Sequence, residues 1–88
     1  MTIEMFRELA LEHRFTEVKA ETPGMYSFVR DIARGRCRIN YADEQQILTL
    51  IICKEQKGFH NFRKTFPTHD YNLVYEIFHH YNRFRTEK

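Results

Sequence analysis

The residues of this sequence best suited to proton transfer or metal binding are histidines, and four of the five lie in its second half: His60, His69, His79 and His80. Helical zinc sites favour histidines four residues apart, because that spacing puts both imidazoles on one face of the helix. His79 and His80 are adjacent, so on a helix with about 3.6 residues per turn they point roughly 100° apart. The spacing therefore predicts neither a metal site nor a cofactor.

A second group, His60 with Arg63 and Lys64, is suited to phosphate chemistry. A histidine can act as general acid or base while the two cations stabilise charge on a phosphate, with a tyrosine as a further proton donor. Such a set would serve a small toxin-type endoribonuclease, a function that we keep as a remote alternative to a plain polar edge strand. The sequence has no glycine-rich phosphate loop and no G-x-S-x-G motif, so we predict no catalytic residues.

The arginines form the most distinctive chemical group of the chain. The formal net charge is only +2, with 14 basic against 12 acidic residues. The first 21 residues carry −2, because they hold five glutamates but only three basic residues, and the remainder therefore carries +4. Arg30, Arg34, Arg36 and Arg38 fall within nine residues and are opposed there only by Asp31.

Binding of single-stranded nucleic acid is one function that this distribution suggests. Arginine and lysine bind phosphates, and nearby aromatic rings such as Tyr26, Phe28 and Phe59 can stack on bases. A net charge of +2 is low for that role, and no RNP-like motif is present, so we treat it as the alternative function. Its predicted contact residues are Arg34, Arg36, Arg38, Arg63 and Lys64.

The elements that must position these side chains follow from hydrophobic periodicity. Apolar residues at helical spacing predict a helix over residues 3–14, and a second aromatic-rich helix follows Pro67, with Thr68 or Asp70 as its cap. Alternating patterns between them predict strands over residues 15–20, 25–32, 36–41, 47–53 and 59–66. The expected fold is α+β, with an N-terminal helix, a four- to five-stranded antiparallel sheet and a C-terminal helix.

The register of the two central strands decides which side chains share a face. A three-residue turn at Glu44–Gln46 would place Cys37 opposite Cys53, close enough for a redox-sensitive disulfide. A change of one residue in that turn would abolish the pairing. The same register sets Arg36 and Arg38 on the opposite face, beside three large aliphatic residues of the central strand: Leu48, Leu50 and Ile52.

Two arrangements would explain an aliphatic face with arginines beside it. One helix could cover each face of the sheet, or both helices could cover the cysteine face and leave the aliphatic face for a partner. Exposed apolar patches with arginines at their rim are typical of protein interfaces. The second arrangement is the basis of the leading functional hypothesis, with a partner surface formed by Arg30, Arg36, Arg38, Leu48, Leu50 and Ile52.

Length and composition limit the class of protein. Eighty-eight residues with 42% hydrophobic content predict a single domain over residues 1–88. No apolar run is long enough to cross a membrane, and the acidic N-terminal segment does not resemble a secretory signal, so a cytoplasmic location is expected. We therefore predict a non-enzymatic binding module that acts on a protein partner or forms a homodimer. Small inhibitors from phages and mobile elements are of similar size, which is an analogy of size alone.

Overall fold

A computed structural model describes residues 1–33, 35–54 and 62–84 and confirms the α+β fold. Within these ranges the chain forms three helices and five strands: α1 (Ile3–Glu12), β1 (Thr16–Val18), β2 (Met25–Ile32), β3 (Gly35–Ala42), β4 (Ile47–Lys54), β5 (Phe62–Pro67), α2 (Tyr71–His79) and α3 (Tyr81–Phe84). The strands form one antiparallel sheet in chain order, β1-β2-β3-β4-β5. Every strand therefore pairs with its neighbour in sequence.

Helix α1 is defined by caps at both ends. At its start, the hydroxyl of Thr2 accepts a hydrogen bond from the backbone N–H of Met5 (3.2 Å). At its end, the N–H of Phe15 donates to the carbonyl of Ala10 (2.8 Å) and that of Arg14 to Leu11 (3.0 Å), the two bonds of a Schellman motif. Arg14 has the positive φ of 68° that this motif requires. The helix therefore ends at Glu12, two residues before the predicted end.

The turn between β3 and β4 differs from the prediction by one residue. It contains four residues, 43–46, and Ala42 pairs with Ile47 across its base. Gln46, with φ of 56°, closes the turn. Its side-chain amide donates to the Tyr41 hydroxyl (2.7 Å) and to the Asp43 carbonyl (2.9 Å). Its carboxamide oxygen accepts from the Thr68 hydroxyl (3.1 Å), which ties the turn to the segment before α2.

This turn shifts the whole register of β3 against β4. Cys37 pairs with Ile52 and not with Cys53, so the register predicted from a three-residue turn is wrong. Because strand side chains alternate between faces, the shift moves every β4 side chain to the face opposite the expected one. Cys37 is buried in the core, whereas Cys53 is exposed on the other face. The two thiols cannot form a disulfide with each other in this fold.

The hydrophobic core lies between one face of the sheet and the two longer helices. Leu48, Leu50 and Ile52, at 0, 0 and 1% exposure, line this face together with Cys37, Ile39 and Tyr41. Phe6 of α1 is the central contact: its ring stacks on Tyr41 at a centroid distance of 4.4 Å and meets Phe78 of α2 edge-on at 5.1 Å. Both helices therefore pack on the face that carries Cys37.

Helix α2 starts where the sequence predicts and ends at His79. The carboxylate of Asp70 accepts hydrogen bonds from the N–H groups of Asn72 (3.0 Å) and Leu73 (3.4 Å), so Asp70 is the N-cap. His80 interrupts the helix, and the short α3 continues the chain to Phe84. The predicted apolar stripe is buried at Val74, Ile77 and Phe78, while Tyr71 near its start is exposed.

Opposite faces of β4 should respond differently to the same substitution. Leu50→Glu places a carboxylate in the core without a partner, and we expect it to unfold the protein, since a buried unpaired charge adds to the ~2–5 kcal/mol lost when leucine is truncated. Ile51→Glu, one residue along on the other face, should stay folded. Circular dichroism and urea denaturation check both variants; a folded Leu50→Glu protein would contradict the observed register.

The core also predicts sensitivity to alkali. Burial raises the pKa of the Cys37 thiol from 9.0 to about 12, and burial with the hydrogen bond to Asp43 raises the pKa of Tyr41 from 10.0 to about 12. The native state keeps these protons at pH values where the unfolded chain has lost them. The free energy of unfolding should therefore be independent of these groups below pH 9 and should fall between pH 9 and 12.

The contribution of the thiol can be isolated by substitution. Cys37→Val removes the titrating proton while nearly keeping the side-chain volume. Above pH 9, the free energy of unfolding of the variant should therefore fall less steeply than that of the parent, with slopes that differ by ~1.4 kcal/mol per pH unit. Ile39→Val is the control, because it weakens the same core without removing a titratable group. Urea denaturation from pH 8 to 11 measures both, and equal slopes for the parent and Cys37→Val would refute the assignment.

Candidate interaction face

The second face of the sheet is the candidate functional site, and we call it the open face. All buried residues of α1 and α2 belong to the core on the first face, so among the described residues no helix lies over the second. The register aligns open-face side chains in rows across the strands. The longest rows are Thr16–Val29–Arg38–Ile51–Arg63 and Val18–Ser27–Asn40–Thr49–Thr65.

The composition of the open face is small, β-branched and basic. The Cβ atoms of neighbouring residues in a row lie about 4.5–5.5 Å apart, so Arg38 and Arg63 flank Ile51 directly. Ile47 is 39% exposed, and Ile51 and Met25 are half-buried, which gives the face an apolar part. Ser27 and Thr49 are buried in the second row, at 3% and 7% exposure, where their small side chains keep the surface flat.

Arginines outnumber acidic groups on this face. Arg36 makes an ion pair with Asp31 (3.1 Å), whereas neither Arg38 nor Arg63 pairs with any described acidic residue. The exposure of the Arg36–Asp31 pair, at 55% and 80% for the two side chains, makes it a weak interaction of about 0–1 kcal/mol. The face therefore carries positive charge that the described residues do not neutralise.

Two cavities border the open face on the β1 side. The larger, of ≈ 410 Å³, is lined by Arg14, Thr16, Val18, Val29, Arg30, Asp31 and Arg36. A second cavity of ≈ 250 Å³ lies between the 20–22 segment and the open face and includes Glu21 with Arg38. Arg14 thus adds a fourth arginine at the rim of the face, against the two acidic residues Asp31 and Glu21.

Only two residues of the predicted partner surface lie together on this face, namely Arg36 and Arg38. Leu48, Leu50 and Ile52 are core residues, because the four-residue turn shifts β4 by one position. Arg30 lies on the helix side of the sheet, where its Nη1 donates to the His13 carbonyl (2.9 Å). The expected surface is therefore divided between two faces, and its partner-binding role stays a prediction for Arg36 and Arg38.

The residues predicted for nucleic-acid binding are also only partly together. Arg36, Arg38 and Arg63 share the open face, Lys64 lies on the helix side of β5, and Arg34 falls outside the described residues. Tyr26 and Phe28 point into the core side, and Phe59 is outside the described ranges. The described part of the open face carries no aromatic ring for base stacking.

The endoribonuclease set does not come together among the described residues. Arg63 and Lys64 point to opposite faces of β5, so they cannot hold one phosphate between them. His60 lies outside the described residues. Within residues 1–33, 35–54 and 62–84, no group of three histidine, cysteine or acidic side chains is placed to bind a metal ion.

Sequence reasoning missed the apolar part of the open face, at Ile47 and Ile51. Thr49 was the available signal, because it is the one polar residue inside an otherwise apolar strand. Residues that share a face with Thr49 lie two or four positions from it, which identifies Ile47, Ile51 and Cys53 as the open-face set and leaves the leucines for the core. The faces of the β4 side chains were assigned wrongly because they were derived from an assumed three-residue turn and not from this alternation.

Comparison of the chain with protein-family models, with curated proteins and with solved structures gave no match. Within the part of the chain that the structure describes, no helix has the length and apolar character needed to cross a membrane. Functional assignment therefore depends on the geometry of the chain itself.

Arg14 occupies a backbone position that glycine would occupy without strain. The left-handed conformation costs a non-glycine residue about 1–2 kcal/mol, so Arg14→Gly should raise the free energy of unfolding by roughly 1 kcal/mol. Arg14→Ala removes the same guanidinium but keeps a Cβ, so it should give no such gain. Urea denaturation compares the two variants, and equal stabilities would show that the conformation is not strained.

Proposed function

We propose that this protein is a non-enzymatic binding module whose open face binds an acidic protein surface. The observation that carries the proposal is a sheet face that no described helix covers, which combines exposed isoleucine with arginines that pair with no described acidic residue. Arginine is enriched at protein interfaces, where its planar group binds carboxylates with two hydrogen bonds. Apolar neighbours such as Ile51 add burial that is independent of charge.

The dimensions of the open face fit a small protein interface. Three strands of eight residues, with the shorter β1 and β5 at the sides, give a projected area of roughly 500–600 Å² at standard strand spacing. Stable interfaces bury about 800 Å² of accessible surface on each partner, a value that exceeds the projected area because it follows the side chains and includes the rim. A partner that covers the face and the cavity beside Arg14 would approach that value.

Charge favours a different protein over a second copy of this chain. In a face-to-face homodimer, the arginines of one copy would meet those of the other, and among the described residues Asp31 and Glu21 are the acidic groups that would offset them. Like charges brought together at an interface cost free energy, whereas carboxylates on a partner would pair with Arg38 and Arg63. The proposed partner is therefore an acidic surface, with homodimerisation as a separate outcome of the tests.

Single-stranded nucleic acid remains the second candidate, because three of the five predicted cations, Arg36, Arg38 and Arg63, share the open face. Phosphates would pair with these arginines as carboxylates would. The described open face offers no ring for stacking, which is worth about 1–3 kcal/mol per base in proteins that bind single strands. This absence is why a protein partner is the first proposal.

Adjacent residues of β5 provide a matched test. Arg63→Glu reverses a charge on the open face, and Lys64→Glu makes the same change in charge on the helix side of the same strand. We expect Arg63→Glu to weaken partner binding tenfold or more, equivalent to ~1.4 kcal/mol, and Lys64→Glu to change it little. Capture from a nuclease-treated host lysate identifies the partner, and titration calorimetry with the purified partner measures both variants.

The possible outcomes separate the hypotheses. Equal binding by both variants would show that the open face is not the interface. Loss of capture after nuclease treatment, together with salt-dependent binding to an oligonucleotide, would favour nucleic acid. If sedimentation analysis finds a dimer, and Arg63→Glu changes its dissociation constant whereas Lys64→Glu does not, the partner of the open face is a second copy of this chain and not an acidic protein.

A further inference from the structure

A second basic site lies on the opposite side of the molecule, where α2 gives way to α3. A cavity of ≈ 250 Å³ there is lined by Arg30, His79, His80, Tyr81, Asn82 and Arg83. Four of these six side chains are cationic or become cationic on protonation, and the asparagine amide adds a hydrogen-bond donor. The cavity contains none of Arg36, Arg38 and Arg63, the open-face arginines of the proposed function, and it shares Arg30 with the cavity beside Arg14.

Arg30 is the fixed group of this cavity. Its Nη1 donates to the carbonyl of His13, the C-cap of α1, at 2.9 Å, and its guanidinium carbon lies 5.8 Å from the centre of the Tyr81 ring. These contacts hold a half-buried guanidinium in one orientation while using one of its five N–H groups. An arginine positioned in this way loses little conformational entropy when it binds an anion.

Histidines and a second arginine complete the cationic lining. The rings of His79 and His80 lie 4.3 Å apart, centre to centre, and His13 lies 5.5 Å from His79. Glu76 is the acidic residue nearby, but it is 3.9 Å from His80 Nε2 and 3.8 Å from Arg83 Nη1. Exposed ion pairs of that length contribute about 0–1 kcal/mol, so a stronger anion can replace Glu76.

We propose that this cavity binds a phosphate group, carried by a phosphate monoester. A tetrahedral oxyanion has enough acceptor oxygens to take hydrogen bonds from Arg30, Arg83 and a histidine at once, whereas a planar carboxylate matches one guanidinium. The described titratable and charged groups that line the site or contact its lining are His13 at the end of α1, Arg30 from β2, Tyr75, Glu76, His79 and His80 on or next to α2, and Tyr81 and Arg83 from α3. Glu76 is the one acidic residue among them.

Inorganic phosphate is the probe for the first test, followed by nuclear magnetic resonance of the ¹⁵N-labelled full chain. We expect saturable shifts of the amides around the cavity, with a Kd on the order of 1 mM. Arg30→Gln should weaken binding at least tenfold. Arg38→Gln, the same change on the open face, should leave it unchanged. Phosphoserine and adenosine monophosphate then distinguish a phosphorylated side chain from a nucleotide as the source of the phosphate.

Sulfate tests the part played by the histidines, because its charge does not change between pH 5.5 and 8. Protonated imidazoles add positive charge, so sulfate affinity should rise as the pH falls through the range in which histidines titrate. The double variant His79→Gln, His80→Gln keeps His13, so it should lose most of that rise and stay folded. No saturable shift with phosphate, or equal binding by the parent and Arg30→Gln, would overturn the proposal.

Discussion

The four-residue turn that joins β3 to β4 is the constraint on which the rest of the structure depends. Gln46 adopts a left-handed backbone conformation there, and its side chain bonds to Tyr41, Asp43 and Thr68. These bonds fix the length of the turn and hence the pairing of Cys37 with Ile52. A turn one residue shorter would place Leu48, Leu50 and Ile52 in water and would turn Ile47 and Ile51 toward the core.

Burial of the β4 leucines in turn decides where the helices pack. Phe6 and Phe78 meet over the core face because Tyr41, Leu48 and Leu50 supply an apolar surface there. The alternate side chains, Thr49 among them, offer less apolar area, so the second face attracts neither α1 nor α2. Coverage of one face and exposure of the other are thus two results of the same register.

Periodicity in the sequence was enough to predict the elements, but not how they pair. The helix and strand patterns, the caps at Thr2 and Asp70 and the α+β order can all be recognised locally, because each depends on residues close in the chain. Register depends on the length of one turn, and the left-handed conformation of Gln46 has no signal as clear as glycine would give. The position of Arg30 on the helix side, by contrast, follows from alternation along β2, because Arg30 shares a face with the buried Phe28.

The edges of the sheet limit the ways in which a second chain can approach. β1 contributes only three residues, and β5 presents Arg63 and Lys64 on alternate faces and ends at Pro67, which has no N–H to donate. Short strands, edge charges and proline are the features by which sheets avoid pairing with strands of other molecules. Extension of this sheet by an added strand is therefore disfavoured at both sides, and edge-to-edge aggregation is disfavoured for the same reason.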